Sequence, residues 1–218
     1  MEKNEMQVAR IVSKKFGQNT FLAWLAGRSD CLVIDPGLEP EKIIERIEQH
    51  HLTPAAMLIT HGHTDHIAGN EALKQKWPAC PIVIGANEAE KLTDPQKNLS
   101  ARFGQAIVSP PADRELFEGD TIEYAGFRLE VREIPGHSTG HIVFIVRDHN
   151  PPVVFGGDVL FAGSIGRTDF PDGSLEELVS GIRKKLFMLP DETIVLSGHG
   201  PATTIGEERR NNPFVADA

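Results

Sequence analysis

Thr60-His61-Gly62-His63-Thr64-Asp65-His66 directly follows the apolar run Met57-Leu58-Ile59. In an extended segment residues i and i+2 project to the same side, so His61 and His63 can grip one ion together. Asp65 and His66 come as the chain turns, and can address a second ion beside the first. Imidazole nitrogen and carboxylate oxygen are suitable ligands for zinc, iron and manganese. Packing gives no reason to place three imidazoles and a carboxylate so close together behind a buried strand.

Working outward, three further candidates stand beside glycine. His137 lies in Pro135-Gly136-His137-Ser138-Thr139-Gly140-His141, Asp158 closes Phe155-Gly156-Gly157-Asp158, and His199 lies in Ser197-Gly198-His199-Gly200. Glycine lets backbone turn sharply and lets other groups approach closely. Polar ligands at strand ends, on loops fixed by a rigid scaffold, are a common way to build a site. Two ions sharing one carboxylate would use the whole set. His61, His63 and His137 are assigned to the first ion, Asp65, His66 and His199 to the second, and Asp158 to the bridge.

The rest of the chain alternates short apolar strands with turns and helices. Val8–Ser13, Thr20–Leu25 and Cys31–Ile34 read as consecutive antiparallel strands. A helix is expected over Pro40–His50, with Ile43, Ile44 and Ile47 on one face. Met57–Thr60 reads as a buried strand. A helix follows from Asp65 or His66 to just before Pro78, then a strand at Pro81–Gly85 and a short helix at Asn87–Leu92. Ser109–Arg114 reads as polar, proline-containing sequence. Strands are expected at Asp120–Tyr124, Phe127–Glu133, His141–Arg147, Val153–Gly157 and Thr193–Ser197. Ser174 can cap a helix running to Leu189, with Glu176 and Glu177 in its first turn. A short helix around Gly206–Arg210 ends near Pro213. Two packed sheets with helices outside would bury these faces, which makes the fold class α/β.

The chain of 218 residues is expected to form a single domain, 1–218, with 40% hydrophobic and 24% charged residues. Its formal net charge of −9, with no basic run, argues against a nucleic-acid partner. Met1 to Gln7 is polar, with no apolar signal core behind it, and no apolar run is long enough to span a membrane. The two cysteines, Cys31 and Cys80, make neither a disulfide framework nor a zinc-type pair, so buried thiols in a cytoplasmic protein are expected.

His61-Gly62-His63-Thr64-Asp65-His66 resembles the H-x-H-x-D-H signature of the metallo-β-lactamase superfamily. His137, Asp158 and His199 match its remaining ligands in order. The resemblance runs from Phe16-Gly17-Gln18-Asn19 and Ile34-Asp35-Pro36-Gly37 to Asn212-Pro213-Phe214. It implies an αββα sandwich. Within the superfamily the chain looks most like the glyoxalase II group, the hydroxyacylglutathione hydrolases, and especially its short bacterial members. Standard members carry a C-terminal helical domain that helps hold glutathione. With only Gly200 to Ala218 after His199, this chain is expected to lack it. The loop Gly166-Arg167-Thr168-Asp169-Phe170 also departs from the Lys and Tyr pattern those enzymes use.

The expected activity is hydrolysis of a small-molecule thioester, S-lactoylglutathione or a relative. The expected cofactors are two divalent ions, Zn first, with Fe or Mn as alternatives, and a hydroxide between them as nucleophile. Asp65 is expected to orient that water as well as ligate. No G-x-S-x-G elbow offers a serine nucleophile. Iron-dependent persulfide dioxygenases share the early ligands and a Gly-Arg-Thr-Asp-Phe loop, and lactonases share the ligand set. Arg167 carries two readings, a contact to a substrate carboxylate or a structural pair with Asp169 or Asp172. His141 reads equally as a support for the site or as the start of a strand. Asp35 could brace a histidine ligand, but the Asp-Pro-Gly turn is the preferred reading.

Overall fold

Apolar residues occupy both faces of the central strands, so each sheet must be covered on two sides. Along β2 (Asn19–Leu25), Phe21 points to one face and Leu22 to the other; along β3 (Asp30–Ile34), Leu32 and Ile34 oppose Val33. The computed structural model describes residues 5–216. Met1 to Asn4 of the polar N-terminal stretch, and Asp217 and Ala218, lie outside them.

One six-stranded sheet runs in sequence order from β1 (Met6–Val12) through β2, β3, β4 (Thr53–Ile59) and β5 (Ile82–Gly85) to β6 (Arg114–Leu116). β1, β2 and β3 pair antiparallel, and β3 to β6 pair parallel. The second sheet contains β7 (Thr121–Tyr124), β8 (Phe127–Glu133), β9 (Ile142–Val146) and β10 (Val153–Gly157). After a small hairpin of β11 (Leu160–Phe161) and β12 (Ser164–Ile165), it is completed by β13 (Ile194–Ser197) and β14 (Thr203–Thr204). Its spatial order is β14-β13-β10-β9-β8-β7, with β13 parallel to β10.

Phe21, Leu32, Ile34 and Leu58 of the first sheet meet Leu129, Val131, Phe144 and Phe155 of the second, forming the core between the sheets. The outer face of the first sheet packs Val33, Met57 and Ile59 against Ile43 and Ile47 of the helix Pro40–Gln49 and Leu73 of Asn70–Lys76. The outer face of the second packs Val143, Ile145 and Val195 against Leu178, Ile182 and Ile205 of the C-terminal helical segments. Each such buried aliphatic side chain contributes about 1.5–3 kcal/mol of transfer free energy. The four layers are the α/β αββα sandwich that the resemblance implied.

Local differences have physical causes. The strand expected at Met57–Thr60 runs instead from Thr53 to Ile59; it tolerates Pro54 because the pairing with β3 skips Ala55 there, a bulge. The helix expected from Asp65 to before Pro78 is two pieces, Thr64–Ile67 and Asn70–Lys76, parted where the Gly69 N–H turns aside to donate to the Pro36 carbonyl. Ser174 does cap its helix, accepting from the Glu177 N–H, but the α-helix ends at Gly181 and continues as a π turn, Ile182–Leu186. Among the described residues no helix is long and apolar enough to cross a membrane.

Candidate metal centre

The loops that leave β3, β4, β10 and β13, and the one that enters β9, all emerge at the same end of the sandwich, because β9 runs antiparallel to β10. That end gathers every sequence-predicted ligand. His61, His63, Asp65 and His66 follow β4, Asp158 follows β10, His199 follows β13, and His137 precedes β9.

The ligand atoms fall into groups lying within 4.8 Å of one another. These are His61, His63 and His137; Asp65, His66 and His199; and His61, His66 and Asp158. The first two groups are the two sets assigned from the sequence, and the third draws one residue from each and adds Asp158. His137 Nε2 is 3.2 Å from His61 Nε2 and 3.0 Å from His63 Nδ1. Asp158 Oδ2 lies 3.5 Å from His137 Nε2 and 3.4 Å from His199 Nε2, while its Oδ1 lies 3.4 Å from His66 Nε2. Asp65 Oδ2 is 3.3 Å from His199 Nε2.

The outward nitrogens are oriented by acceptors. His137 Nδ1 donates to the Arg167 carbonyl at 2.8 Å. His66 Nδ1 donates to Asp35 Oδ2 at 3.0 Å. His61 Nδ1 donates to Thr60 Oγ1 at 3.2 Å, and that hydroxyl donates onward to Asp35 Oδ2 at 2.8 Å. Anchoring the outward nitrogens turns the other ring nitrogen of His61, His66 and His137 inward, the orientation of a histidine ligand. His66 Nε2 and Asp158 Oδ1 are buried without any hydrogen-bond partner. Orphaned buried groups of this kind are costly, and a cation between them would satisfy both. The donor set is therefore compatible with divalent metal ions.

Asp35 corrects the sequence reading. Its φ of 50° does make the turn after β3, but its buried carboxylate also accepts from Thr60 N–H at 2.7 Å and braces both His66 and, through Thr60, His61. His141 resolves in favour of support. It is fully buried, its ring stacks 4.6 Å from His61, and its Nε2 accepts the Asp158 N–H at 3.0 Å.

Electrostatics divides the histidines. Burial, reinforced by neighbouring imidazoles, pushes His61, His63 and His141 well below the usual histidine value. Burial also pulls on His66, but Asp158, Asp65 and Asp35 outweigh it and hold the ring well above that value. His199 is raised to about 9, burial being overcome by Asp158 and Asp65. Burial opposes ionisation of Asp158, yet His66 and His199 keep its carboxyl well below the usual carboxylate range.

Some supporting residues were missed in the sequence. Asn19 Nδ2 donates to the Ser197 and Gly200 carbonyls at 2.8 and 2.9 Å, clamping the loop that carries His199. Gln18 and Asn19 sit in the quoted Phe16–Asn19 stretch, which was the available signal. At Gly198 a Cβ would collide with Asp158 Oδ1 and approach His66 Cε1 to 2.8 Å, so only glycine fits between the two ligands.

A cleft of about 450 Å³ opens onto the cluster. Phe16, Leu99, Phe103, Phe161 and Phe170 make much of its wall, and Arg167 stands among its lining residues. Both readings of Arg167 meet here. Its guanidinium makes a bidentate pair with Asp169, at 2.7 Å through Nε and through Nη2, and sits 4.5 Å over the Phe170 ring. Asp172 is not its partner; that carboxylate pairs with Lys91.

The Metallo-beta-lactamase superfamily model matches residues 14–199. Hydroxyacylglutathione hydrolase GloC of Haemophilus influenzae is 42% identical over 213 residues, covering 96% of this chain and 98% of that protein. The structure of the BLEG-1 B3 metallo-beta-lactamase superposes with a TM-score of 0.91 at 35% identity, covering 97% of this chain and 100% of that one. ETHE1 from Myxococcus xanthus superposes with a TM-score of 0.80 at 28% identity, over 96% of this chain and 84% of that one. With its candidate ligands gathered at one end of an αββα sandwich, the chain belongs to the metallo-beta-lactamase superfamily and is a metal-dependent hydrolase of that superfamily.

Proposed function

We propose that the chain acts as one domain to hydrolyse small thioesters, S-lactoylglutathione or a related hydroxyacylglutathione, with two divalent ions at its metal centre. His61, His63 and His137 would hold one ion, Asp65, His66 and His199 the other, and Asp158 would contribute to both. The observation that carries this reading is the pair of partnerless buried atoms, His66 Nε2 and Asp158 Oδ1, aimed at each other across 3.4 Å. The likeness to the Haemophilus influenzae hydrolase supports the substrate class. Zinc is the first expectation for the metal, and the same ligands suit iron and manganese.

Bound divalent ions supply Lewis acidity, which lowers the pKa of water and polarises a carbonyl. The chain's own residues do the rest. Asp65 is only partly buried and borders the cleft, so its carboxylate can orient an incoming water and hold its proton. The phenyl walls exclude bulk water around the scissile bond and offer an apolar surface to the acyl group. Arg167 retains Nη1 free of Asp169, a donor for a carboxylate on the thiol half of the substrate.

A second reading is persulfide dioxygenation with one iron. It is favoured by the Gly166–Phe170 loop, whose Phe170 ring stands 5.0 Å from His63 and 5.8 Å from His137, and by the likeness to ETHE1. The two are separated by assaying metal-replete protein for thiol release from S-lactoylglutathione and for oxygen uptake with glutathione persulfide. Thiol release without oxygen uptake is the expected result, and the reverse would replace hydrolysis with oxidation.

A further inference from the structure

Glu88 and Lys91 form a buried ion pair that takes no part in the proposed reaction. Glu88 is fully out of solvent, Lys91 is 6% exposed, and Lys91 Nζ lies 2.9 Å from Glu88 Oε1. Both sit on the short helical segment Ala86–Leu92 that follows β5. Charged side chains are almost never this buried unless paired, and the pair must offset the loss of two hydration shells. A well-packed apolar pair would fasten the segment to the sheet as firmly.

What an apolar pair could not do is hold backbone. Glu88 Oε2 accepts the Gly62 N–H at 2.7 Å, and Gly62 stands between His61 and His63. Glu88 Oε1 accepts the Ser138 hydroxyl at 2.6 Å and the Gly140 N–H at 2.8 Å, and Ser138 follows His137. Lys91 Nζ reaches the Ser138 hydroxyl and, at 2.6 Å, Asp172 Oδ2, which also accepts from Thr139 Oγ1 at 3.0 Å. The approach depends on Gly62, where a Cβ would run into the Lys91 side chain. One buried carboxylate thus ties the segments that present His61, His63 and His137, which lie far apart in sequence. Charge-assisted hydrogen bonds of this kind are roughly twice as strong as neutral ones.

We infer that the Glu88–Lys91 pair is a positioning device for the His61, His63 and His137 group and sets its affinity for one ion of the two. This rests on the reading that those three rings hold an ion. In the other group His66 is held by Asp35, which also reaches His61 through Thr60, and the His199 loop by Asn19; the Glu88 carboxylate bonds only to the segments of the first group and to Lys91, so the effect of Glu88 is selective.

Competition of zinc against a chromophoric chelator, the visible spectrum of the cobalt-loaded protein, and thermal melting of the metal-free protein test this on wild type, Glu88→Gln and Ser138→Ala. Wild type is expected to bind two zinc ions. Glu88→Gln is expected to melt cooperatively, to hold one ion as wild type does, and to hold the other about tenfold to a hundredfold more weakly, with a changed cobalt spectrum. Unchanged affinities and spectrum in folded Glu88→Gln, or equal weakening of both ions, would overturn the inference. If Glu88→Gln does not fold, Ser138→Ala decides by the same criteria, since it removes only the hydroxyl linking His137 to the pair. A wild type that binds no zinc sinks the functional reading together with this one, whereas two ions bound with insensitive variants sink this one alone.

Discussion

The carboxylate of Asp35 accepts from the ring of His66 across 3.0 Å, with both side chains out of solvent. The same group takes the Thr60 N–H and hydroxyl, so one residue after β3 fixes two residues after β4. Asp35→Ala leaves those donors buried and unpaired. A stability loss of about 3 kcal/mol is expected in denaturant melts of the metal-free protein. Asp35→Asn keeps an acceptor for the Thr60 N–H but turns an amide toward His66 or Thr60. Its expected signature is a tenfold to hundredfold weaker metal affinity at a smaller stability cost, read by chelator competition.

Gly198→Ala inserts a methyl group against Asp158 Oδ1 and His66 Cε1. The ligands must part to admit it. Metal content and thioester turnover should both fall at least about tenfold while the fold survives, since geometry at a metal site is sensitive to sub-ångström shifts. Elemental analysis beside a circular dichroism melt checks this; full metal content in a folded variant would show that the two ligands do not need their present spacing.

Binding of the ions should release protons. His199 is raised to about 9 and His66 is raised as well, so without metal both rings are protonated near neutrality. A ligating histidine must be neutral. The sign follows: affinity grows as pH rises toward 9 and falls as pH drops below it, by about tenfold per unit for each proton displaced. Calorimetric titration with zinc in two buffers of different ionisation enthalpy counts the protons, and a heat independent of buffer would contradict the assignment.

The cluster of candidate ligands was legible because its spacing has no packing explanation, and the layers because apolar residues alternate on both faces of β2, β3 and β4. Less was legible where a residue's role depends on what the fold brings near it. Glu88 and Lys91 stand three apart on a polar segment, and nothing local says that Gly62 and Ser138 close over them. Asp35 in Asp-Pro-Gly has a sufficient local explanation as a turn, which hides its second use. The short edge strand Arg114–Leu116 is held by pairing with Ile82–Gly85 rather than by any pattern of its own.

Arg167 and Asp169 are both well exposed, at 61% and 66%, so solvent screens their pair and it should add little to stability. Its expected use is at the cleft. Arg167→Ala should raise KM severalfold for a thioester whose thiol half carries carboxylates and leave KM unchanged for an uncharged thioester. Asp169→Ala, which frees the guanidinium, should lower KM for the charged substrate. Steady-state kinetics on the two substrates checks both, and equal KM changes on them would assign Arg167 to loop structure alone.

Asp158 lies within 3.5 Å of His137 from one three-residue group and of His66 and His199 from the other, so the count of bound metal tests the centre most directly. Elemental analysis of metal-replete protein is expected to give two divalent ions per chain for wild type and fewer than two for a folded Asp158→Ala. A single ion or none in wild type, or two ions undiminished in Asp158→Ala, would contradict a paired centre bridged by that carboxylate.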